Sequence, residues 1–360
     1  MFSFDDLRRR PDFEAPELRA WDAADAYLLD QAGPALATSR LAIIGDTHGA
    51  LTLGALDRGA SGVRVHQDAL LGEFALRANG AGDYRQLPLD AELVAGATLV
   101  LVRLPRSLEA LEEIAALIAR EADPEVVVIA GGRLKHMTPR MNEVLRRHFD
   151  RLDVSLARQK SRLLIARGPR ACGPVEPRRE FHDELGLWVV ATGGVFAGTS
   201  LDIGTRALLD VFDRLPAFER AIDLGCGTGI LAASLARLRP EARVLASDQS
   251  SAAVESARLT MAASGLEVEV ERDAALAAQA PASADLIVLN PPFHSGAAVH
   301  EGVSRAIFEG AARVLRPGGE LWTVFNSHLG HRAVLERVVG PTRQVHRTSK
   351  FTVTASRRRV

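Results

Sequence analysis

Cysteine is nearly absent from this chain of 360 residues. Cys172 and Cys226 are the only two, so no disulfide framework holds it, and a reducing cytosol is the expected setting. No apolar run approaches the length needed to span a membrane. The opening residues, MFSFDDLRRR, carry acids and no apolar core, so no secretory leader is expected. Lysine is scarce: Lys135, Lys160 and Lys350 stand among 44 lysines and arginines. With the abundant alanine, that reads as genomic composition bias and carries no functional meaning. Excess charge is missing too; the net value of −1 argues against a general nucleic-acid binder. What remains is an ordinary globular balance, 47% hydrophobic and 25% charged, long enough for about two domains that need no staples.

The charge is unevenly spread. Residues 311–360 hold ten basic and two acidic residues, and residues 140–170 hold nine and three. Either stretch alone reads equally well as solvated surface. Two of them, at the ends of two halves, point to a phosphate-facing surface.

The halves repeat one plan. RLAIIGDTHGALTLGALDRG and RAIDLGCGTGILAASLARL each read as an apolar strand, a glycine loop and a helix. Gly45 and Gly49 align with Gly225 and Gly229 at an offset of 180, and Pro105 aligns with Pro292 at 187. EVVVIAGGR parallels ELWTVFNSH, and QKSRLLIARG parallels TSKFTVTASR. Each half is expected to be an alternating α/β unit of short, parallel, buried strands. The copies differ where chemistry would sit: Thr47 faces Gly227, and Arg103 faces Asn290. The first half, 1–168, is therefore expected to be a degenerate copy that keeps the scaffold without the reaction. The proline-rich 169–184 reads as a linker, and 185–360 as the catalytic domain. ELGLWVVATGGVFAG should give a short strand and a glycine turn.

In the second half, Asp223 ends a strand and Gly225, Gly227 and Gly229 precede a helix. Glycines let a ligand approach the backbone, and the helix start offers free N–H groups to an anion such as a carboxylate. The spacing is G-x-G-x-G, not the dinucleotide pattern, and such a loop alone is a weak signal. A second strand ends at Asp248, followed by Gln249. A carboxylate there suits two vicinal ribose hydroxyls. A third strand leads to Asp273, placed either for an adenine edge or simply to cap the next helix. Cys226 reads as a small filler, since no histidine is placed to activate it. This set resembles the class I S-adenosylmethionine-dependent methyltransferases. The resemblance implies S-adenosylmethionine as cofactor and a seven-stranded, mostly parallel sheet. Its one antiparallel strand would come from TRQVHRTSKFTVTASR.

The fourth strand ends in DLIVLNPPFHSG. Asn290 offers an amide oxygen, the Pro291 carbonyl is a second acceptor, and the prolines stiffen the corner. Two acceptors can hold both N–H groups of a base amine and oppose the positive charge that grows on its nitrogen. Phe293 can stack on the base. A plain proline-rich turn is the competing reading. His294 reads equally as pocket lining or as an exposed loop residue. His328 and His331 have helical ligand spacing, but no cysteine or acid cluster joins them, so no metal is expected.

NPPFH, GELWTVFNSHL and the terminal KFTV resemble the ribosomal RNA guanine-N2 methyltransferases. LRAWDAADAYLL, LVRLPRSLEALE and VVVIAGGRLKHM resemble their large-subunit (23S) type, so the likeness covers nearly the whole chain. It implies a ribosomal RNA partner and two tandem Rossmann-type domains. Within GVFAGTSLDIGTRALL it implies cofactor contacts at Phe196, Asp202 and Gly204. Departures are Arg103 for an asparagine, His331 for an aromatic residue and Ser264 for an asparagine. Readings left open are a 16S guanine, an adenine N6 or a glutamine amide as acceptor, the last two families more often carrying tyrosine after Asn-Pro-Pro. A non-catalytic RNA-binding assembly factor is the reading from another class. The oligomeric state is not fixed by sequence; a monomer is expected.

Overall fold

The structure is a computed structural model. It describes residues 2–16, 18–291 and 297–359, with side chains in the last stretch from residue 305 on. The chain divides into two compact units, Met1–Glu176 and Pro177–Val360. The first unit holds strands β1 (Leu41–Ile44), β2 (Val63–His66), β3 (Tyr84–Gln86), β4 (Leu99–Arg103), β5 (Val127–Arg133), β6 (Phe149–Val154) and β7 (Ser161–Pro169). The second holds β8 (Arg178–His182), β9 (Leu187–Ala191), β10 (Arg220–Leu224), β11 (Arg243–Asp248), β12 (Glu269–Arg272), β13 (Ala284–Leu289), β14 (Leu315–Asn326), β15 (Thr342–Arg347) and β16 (Phe351–Arg357).

The duplication expected from sequence is present strand for strand. One seven-stranded sheet runs β3-β2-β1-β4-β5-β7-β6, and the other β12-β11-β10-β13-β14-β16-β15. In each, the penultimate strand is antiparallel to its neighbours: β7 against β5 and β6, β16 against β14 and β15. The central strands β1, β4, β10 and β13 are apolar and almost wholly buried, as parallel strands covered by helices on both faces must be. Each sheet accordingly separates two apolar clusters, one per face, with Ile43 and Val102 on opposite faces of the first and Val288 and Ile287 on those of the second.

Pairing fixes the equivalences. Ile44 pairs with Val102 and His66, and Leu224 with Leu289 and Ser247. The next residues therefore match: Arg103 stands where Asn290 stands, and Gln67 where Asp248 stands. In the first unit these positions are spent on the protein itself. The Asp46 carboxylate accepts from the N–H groups of Gly49, Leu51 and Thr52 at 3.1, 3.2 and 2.8 Å, filling the helix start. Gln67 donates its amide to the Asp46 carbonyl. Arg103 forks onto Asp22 at 3.0 Å through both terminal nitrogens and reaches Asp25 at 2.9 Å. Burial pushes the Asp25 carboxyl up to about 7 against the pull of Arg103, while Arg103 overcomes burial at Asp22 and holds that carboxyl below its usual range.

The 169–184 stretch is linker only in part. β7 runs to Pro169, the other prolines of the stretch are Pro174 and Pro177, and from Arg178 to Glu184 every residue has a backbone N–H. β8 then forms a two-stranded ribbon with β9. Among the described residues, no strand meets the other edge of β9. Its Trp188, Val190 and Thr192 N–H groups donate to Ser264 Oγ, Thr260 Oγ1 and Ser256 Oγ at 3.1, 2.9 and 3.0 Å. Those hydroxyls lie at every fourth residue of the Ser251–Ser264 helix, on one face. Two of them donate back to the Trp188 and Val190 carbonyls. Ser264, the departure noted in the sequence, is the last rung of this ladder.

Among the described residues, no helix is long and apolar enough to cross a membrane.

Candidate active site

The site is assembled at the carboxyl edge of the second sheet. β10 ends at Leu224, and the loop behind it turns through Gly225, Gly227 and Gly229 into the Ile230–Leu238 helix. Gly227 adopts a φ of 53°, and nothing lies within 4 Å of where a Cβ would stand. The loop thus presents bare backbone to open space, the form a ligand cradle takes. Its N–H donates to Asp248 Oδ2 at 3.1 Å, so the acid at the end of β11 also shapes the loop; Asp248 Oδ1 accepts from Ser250 at 2.9 Å. Beside it, Gln249 Oε1 is buried without a partner among the described residues.

Asp223 is fully buried. One oxygen accepts from the Ala232 N–H at 2.9 Å; the other, Oδ1, is buried and has no partner among the described residues. Burial, with the Asp248 charge adding to it, raises this carboxyl to about 7. An unpaired buried carboxylate oxygen invites a cationic group. Asp273 is buried, and its Oδ2 accepts from the Ala278 N–H at 3.0 Å, so it closes a turn. Cys226 is buried, and burial, then the charges of Asp223 and Asp248, raise its thiol, which makes it inert as a nucleophile.

Asn290 follows β13 directly. Its Nδ2 donates to Asp202 Oδ2 and to Thr205 Oγ1, both at 3.0 Å. Asp202 Oδ2 also accepts from the Gly204 and Thr205 N–H groups, as N-cap of the Ile203–Leu209 helix. An oxygen that accepts from two backbone N–H groups must face the amide nitrogen, not the amide oxygen. Both Asn290 N–H groups are therefore occupied, and Oδ1 accepts no hydrogen bond among the described residues. Asp202 and Gly204, which the family resemblance assigns to the cofactor, sit here against the Asn290 amide. Phe196 lies nearby in sequence, in the turn after β9, and is 57% exposed. Thr205 was not foreseen: a threonine three residues after an N-cap looks like part of a helix start. Pro291 is buried. Phe293 and His294 fall outside the described residues.

The two parts adjoin: a Cβ on Gly225 would come within 4.0 Å of the Asn290 carbonyl. Gly204 is the tightest point of the corner, since a Cβ there would stand 3.0 Å from both Asn290 Oδ1 and Asp202 Oδ2. Gly204→Ala must displace the amide by a few tenths of an ångström. Turnover should fall about tenfold, given that a 1 Å misplacement costs roughly a hundredfold, with cofactor affinity nearly unchanged. Steady-state kinetics beside calorimetric titration of the cofactor checks this; an unaltered turnover would mean the amide tolerates the methyl group.

The histidines do not share a site. His331 is buried with Phe308 and Phe325 edge-on to it at 5.8 and 5.4 Å, acting as the aromatic residue that the resemblance puts there. His328 is exposed. Among the described residues, no three histidine, cysteine or acidic side chains cluster as metal ligands do.

A glycine cradle under a buried acid, a second acid one strand over, and an asparagine corner at the next strand end define an S-adenosylmethionine-dependent methyltransferase. The cofactor fits the residues present: Asp223 Oδ1 and Gln249 Oε1 are unmatched acceptors, and the Gly227 face is open. Residues 186–355 match the family model "Methyltransferase small domain", and residues 2–170 match "RLMG N-terminal domain". The chain is 36% identical to the ribosomal RNA large subunit methyltransferase G of Pseudomonas aeruginosa strain UCBPP-PA14, over 97% of this chain and 96% of that protein. It is 35% identical to the Streptomyces avermitilis protein of the same name, over 96% and 95%. It belongs to the ribosomal RNA large subunit methyltransferase G family. Among solved structures, the T. thermophilus 16S rRNA N2 G1207 methyltransferase in complex with AdoMet and guanosine superposes with a TM-score of 0.79 at 23% identity. It covers 96% of this chain and 95% of that one, which establishes the paired-domain fold.

Proposed function

We propose that the second unit methylates the exocyclic N2 amine of a guanine in large-subunit (23S) ribosomal RNA. The observation that carries this is the Asn290 amide. With its nitrogen held by Asp202 and Thr205, only its oxygen can address a substrate, and an oxygen acceptor selects an N–H donor. Family membership supplies the large-subunit RNA.

S-adenosylmethionine supplies an electrophilic methyl group on a sulfonium and leaves as a neutral thioether. The protein holds it with the Gly225–Gly229 backbone, Asp223, Asp248 and Gln249. Asn290 Oδ1 and the Pro291 carbonyl hold the two amine hydrogens and aim the nitrogen lone pair. As the carbon–nitrogen bond forms, positive charge grows on that nitrogen, and both oxygens oppose it. This mirrors an oxyanion hole, where one donor is worth about 3–4 kcal/mol. The nitrogen then releases a proton to water, so no strong base is required. The phenylalanine at position 293, after Asn-Pro-Pro, favours guanine over the adenine and glutamine acceptors, whose families more often carry tyrosine there.

The first unit acts as an RNA-holding scaffold, and the protein works in the cytoplasm, where its two unpaired thiols suit a reducing setting. One experiment tests both roles. Ribosomal RNA from a deletion strain is mass-mapped before and after incubation with the full chain or with residues 177–360. The full chain should restore one methyl group on a 23S guanine, and the fragment should bind that RNA more weakly. No restored methyl would sink the activity, and equal RNA affinity would sink the scaffold role.

A further inference from the structure

A cavity of about 680 Å³ lies beside the acceptor corner, lined by Ile203, Asn326, His328, Arg347, Lys350 and Phe351 among others. Its position follows from register. Leu289 pairs with Thr323, so Asn290 lies opposite Val324, and Asn326 is two residues further along β14. At about 3.3 Å per residue and 4.8 Å between strands, the cavity begins roughly 8 Å from Asn290. On its other side, Ile203 follows Asp202, the residue that holds the Asn290 amide.

The charges in this cavity are unspent. Among the described residues, the side chains of Arg347, Lys350 and His328 make no hydrogen bond or ion pair. Neighbouring arginines do: Arg343 forks onto Glu320 at 2.9 and 3.0 Å, Arg332 pairs with Glu336 at 3.1 Å, and Arg358 donates to the Arg313 carbonyl at 3.0 Å. Arg347 ends β15, and Ser349 and Lys350 lie in the tight turn to β16, closed by Thr348 N–H donating to the Phe351 carbonyl at 2.8 Å. Two cations on a short rigid turn, with the half-buried Phe351 ring beside them, offer a phosphate site next to a stacking surface.

We infer that this cavity is a second nucleotide subsite, which holds the RNA residue flanking the target guanine by its phosphate and stacks its base on Phe351. The inference rests on the reading of the Asn290 corner as the amine-binding site. It deepens that reading by giving the enzyme a grip on the strand that no free nucleoside would use.

The test is the double variant Arg347→Ala, Lys350→Ala in the full chain, with both residues exposed and outside the core. Binding of a 23S fragment is followed by fluorescence anisotropy across a salt series, S-adenosylmethionine binding by calorimetry, and methylation by kinetics. RNA affinity should fall about tenfold at low salt, and the log–log salt slope should drop by roughly 1.5. Turnover at saturating RNA and cofactor affinity should hold within twofold. Arg347→Lys with Lys350 intact should recover most of the RNA affinity. Unchanged RNA affinity and slope would overturn the subsite. A loss of cofactor affinity would overturn it too, assigning these cations to the cofactor. Because RNA binding is read directly, a wild-type protein that binds the fragment but leaves guanine unmethylated would count against the activity and not against the subsite.

Discussion

Asn290→Ala should lower turnover about a hundredfold to a thousandfold while leaving S-adenosylmethionine affinity within a few-fold of wild type. The variant removes one of two acceptors for the amine and leaves the glycine cradle, Asp223 and Asp248 in place. An acceptor that acts only on charge developed in the transition state should be missed in kcat and hardly in ground-state binding. The change also strips Asp202 of one of its three donors, but the two backbone N–H groups at the helix start remain, so the fold should hold. Single-turnover rates with saturating RNA, beside calorimetric cofactor titration, separate the two effects. A near-normal rate would remove Asn290 from the mechanism.

Asp223→Asn should move stability and binding in opposite directions. The carboxyl sits at about 7 in the folded protein against an ordinary value of 3.8. Burial disfavours its charged form, so the fold prefers the proton. Below about pH 4 the unfolded chain is protonated too, and the group has no net effect. As pH rises from about 4 to 7, the unfolded chain ionises freely while the folded one resists, and stability is lost; above about 7 the penalty is constant. That penalty is on the order of a few kcal/mol. Asparagine carries no charge and still offers an oxygen to the Ala232 N–H. The variant's calorimetric transition for the second unit should therefore rise by several degrees at pH 8, with the gain vanishing toward pH 4. S-adenosylmethionine affinity should drop about tenfold to a hundredfold, the usual worth of a charge-assisted hydrogen bond. Wild-type affinity should itself weaken as pH falls below 7, because Asp223 must release its proton to meet a cation. A variant no more stable at pH 8, with unaltered binding, would show that the buried acid is neither a strain on the fold nor a cofactor contact.

The parts of this structure that were legible in the sequence are the local ones. A strand, three glycines and a helix can be seen within twenty residues, and the constant offset of 180 carried that pattern from one unit to the other. The pairing of Ile44 and Leu224 with their neighbours then confirmed Arg103 opposite Asn290. What the sequence hid depends on contacts between distant residues. Asp202 lies 88 residues from Asn290, and nothing in SLDIGTRALL says that its carboxylate reaches an amide at the end of another strand. Its capping of the Ile203–Leu209 helix and its contact with the Asn290 amide both come from the fold. Asp46 likewise looks like any loop acid, and only the fold shows its carboxylate filling the helix start of the first unit. The proline-rich segment misled because composition averages over residues, whereas β8 starts at Arg178, directly after the last proline of the segment, Pro177.

The hydroxyl ladder bears on the edges of the β8–β9 ribbon. A two-stranded ribbon outside the main sheet would ordinarily present two open edges, each a template for another chain. Along β9 the donors and acceptors are taken by Ser256, Thr260 and Ser264, so that side is shut without a third strand. β8 faces outward with Arg178, Arg179 and Glu180 exposed, and charged side chains on an edge discourage pairing. The ribbon is thereby shielded from aggregation on both flanks, by serine and threonine on one and by charge on the other.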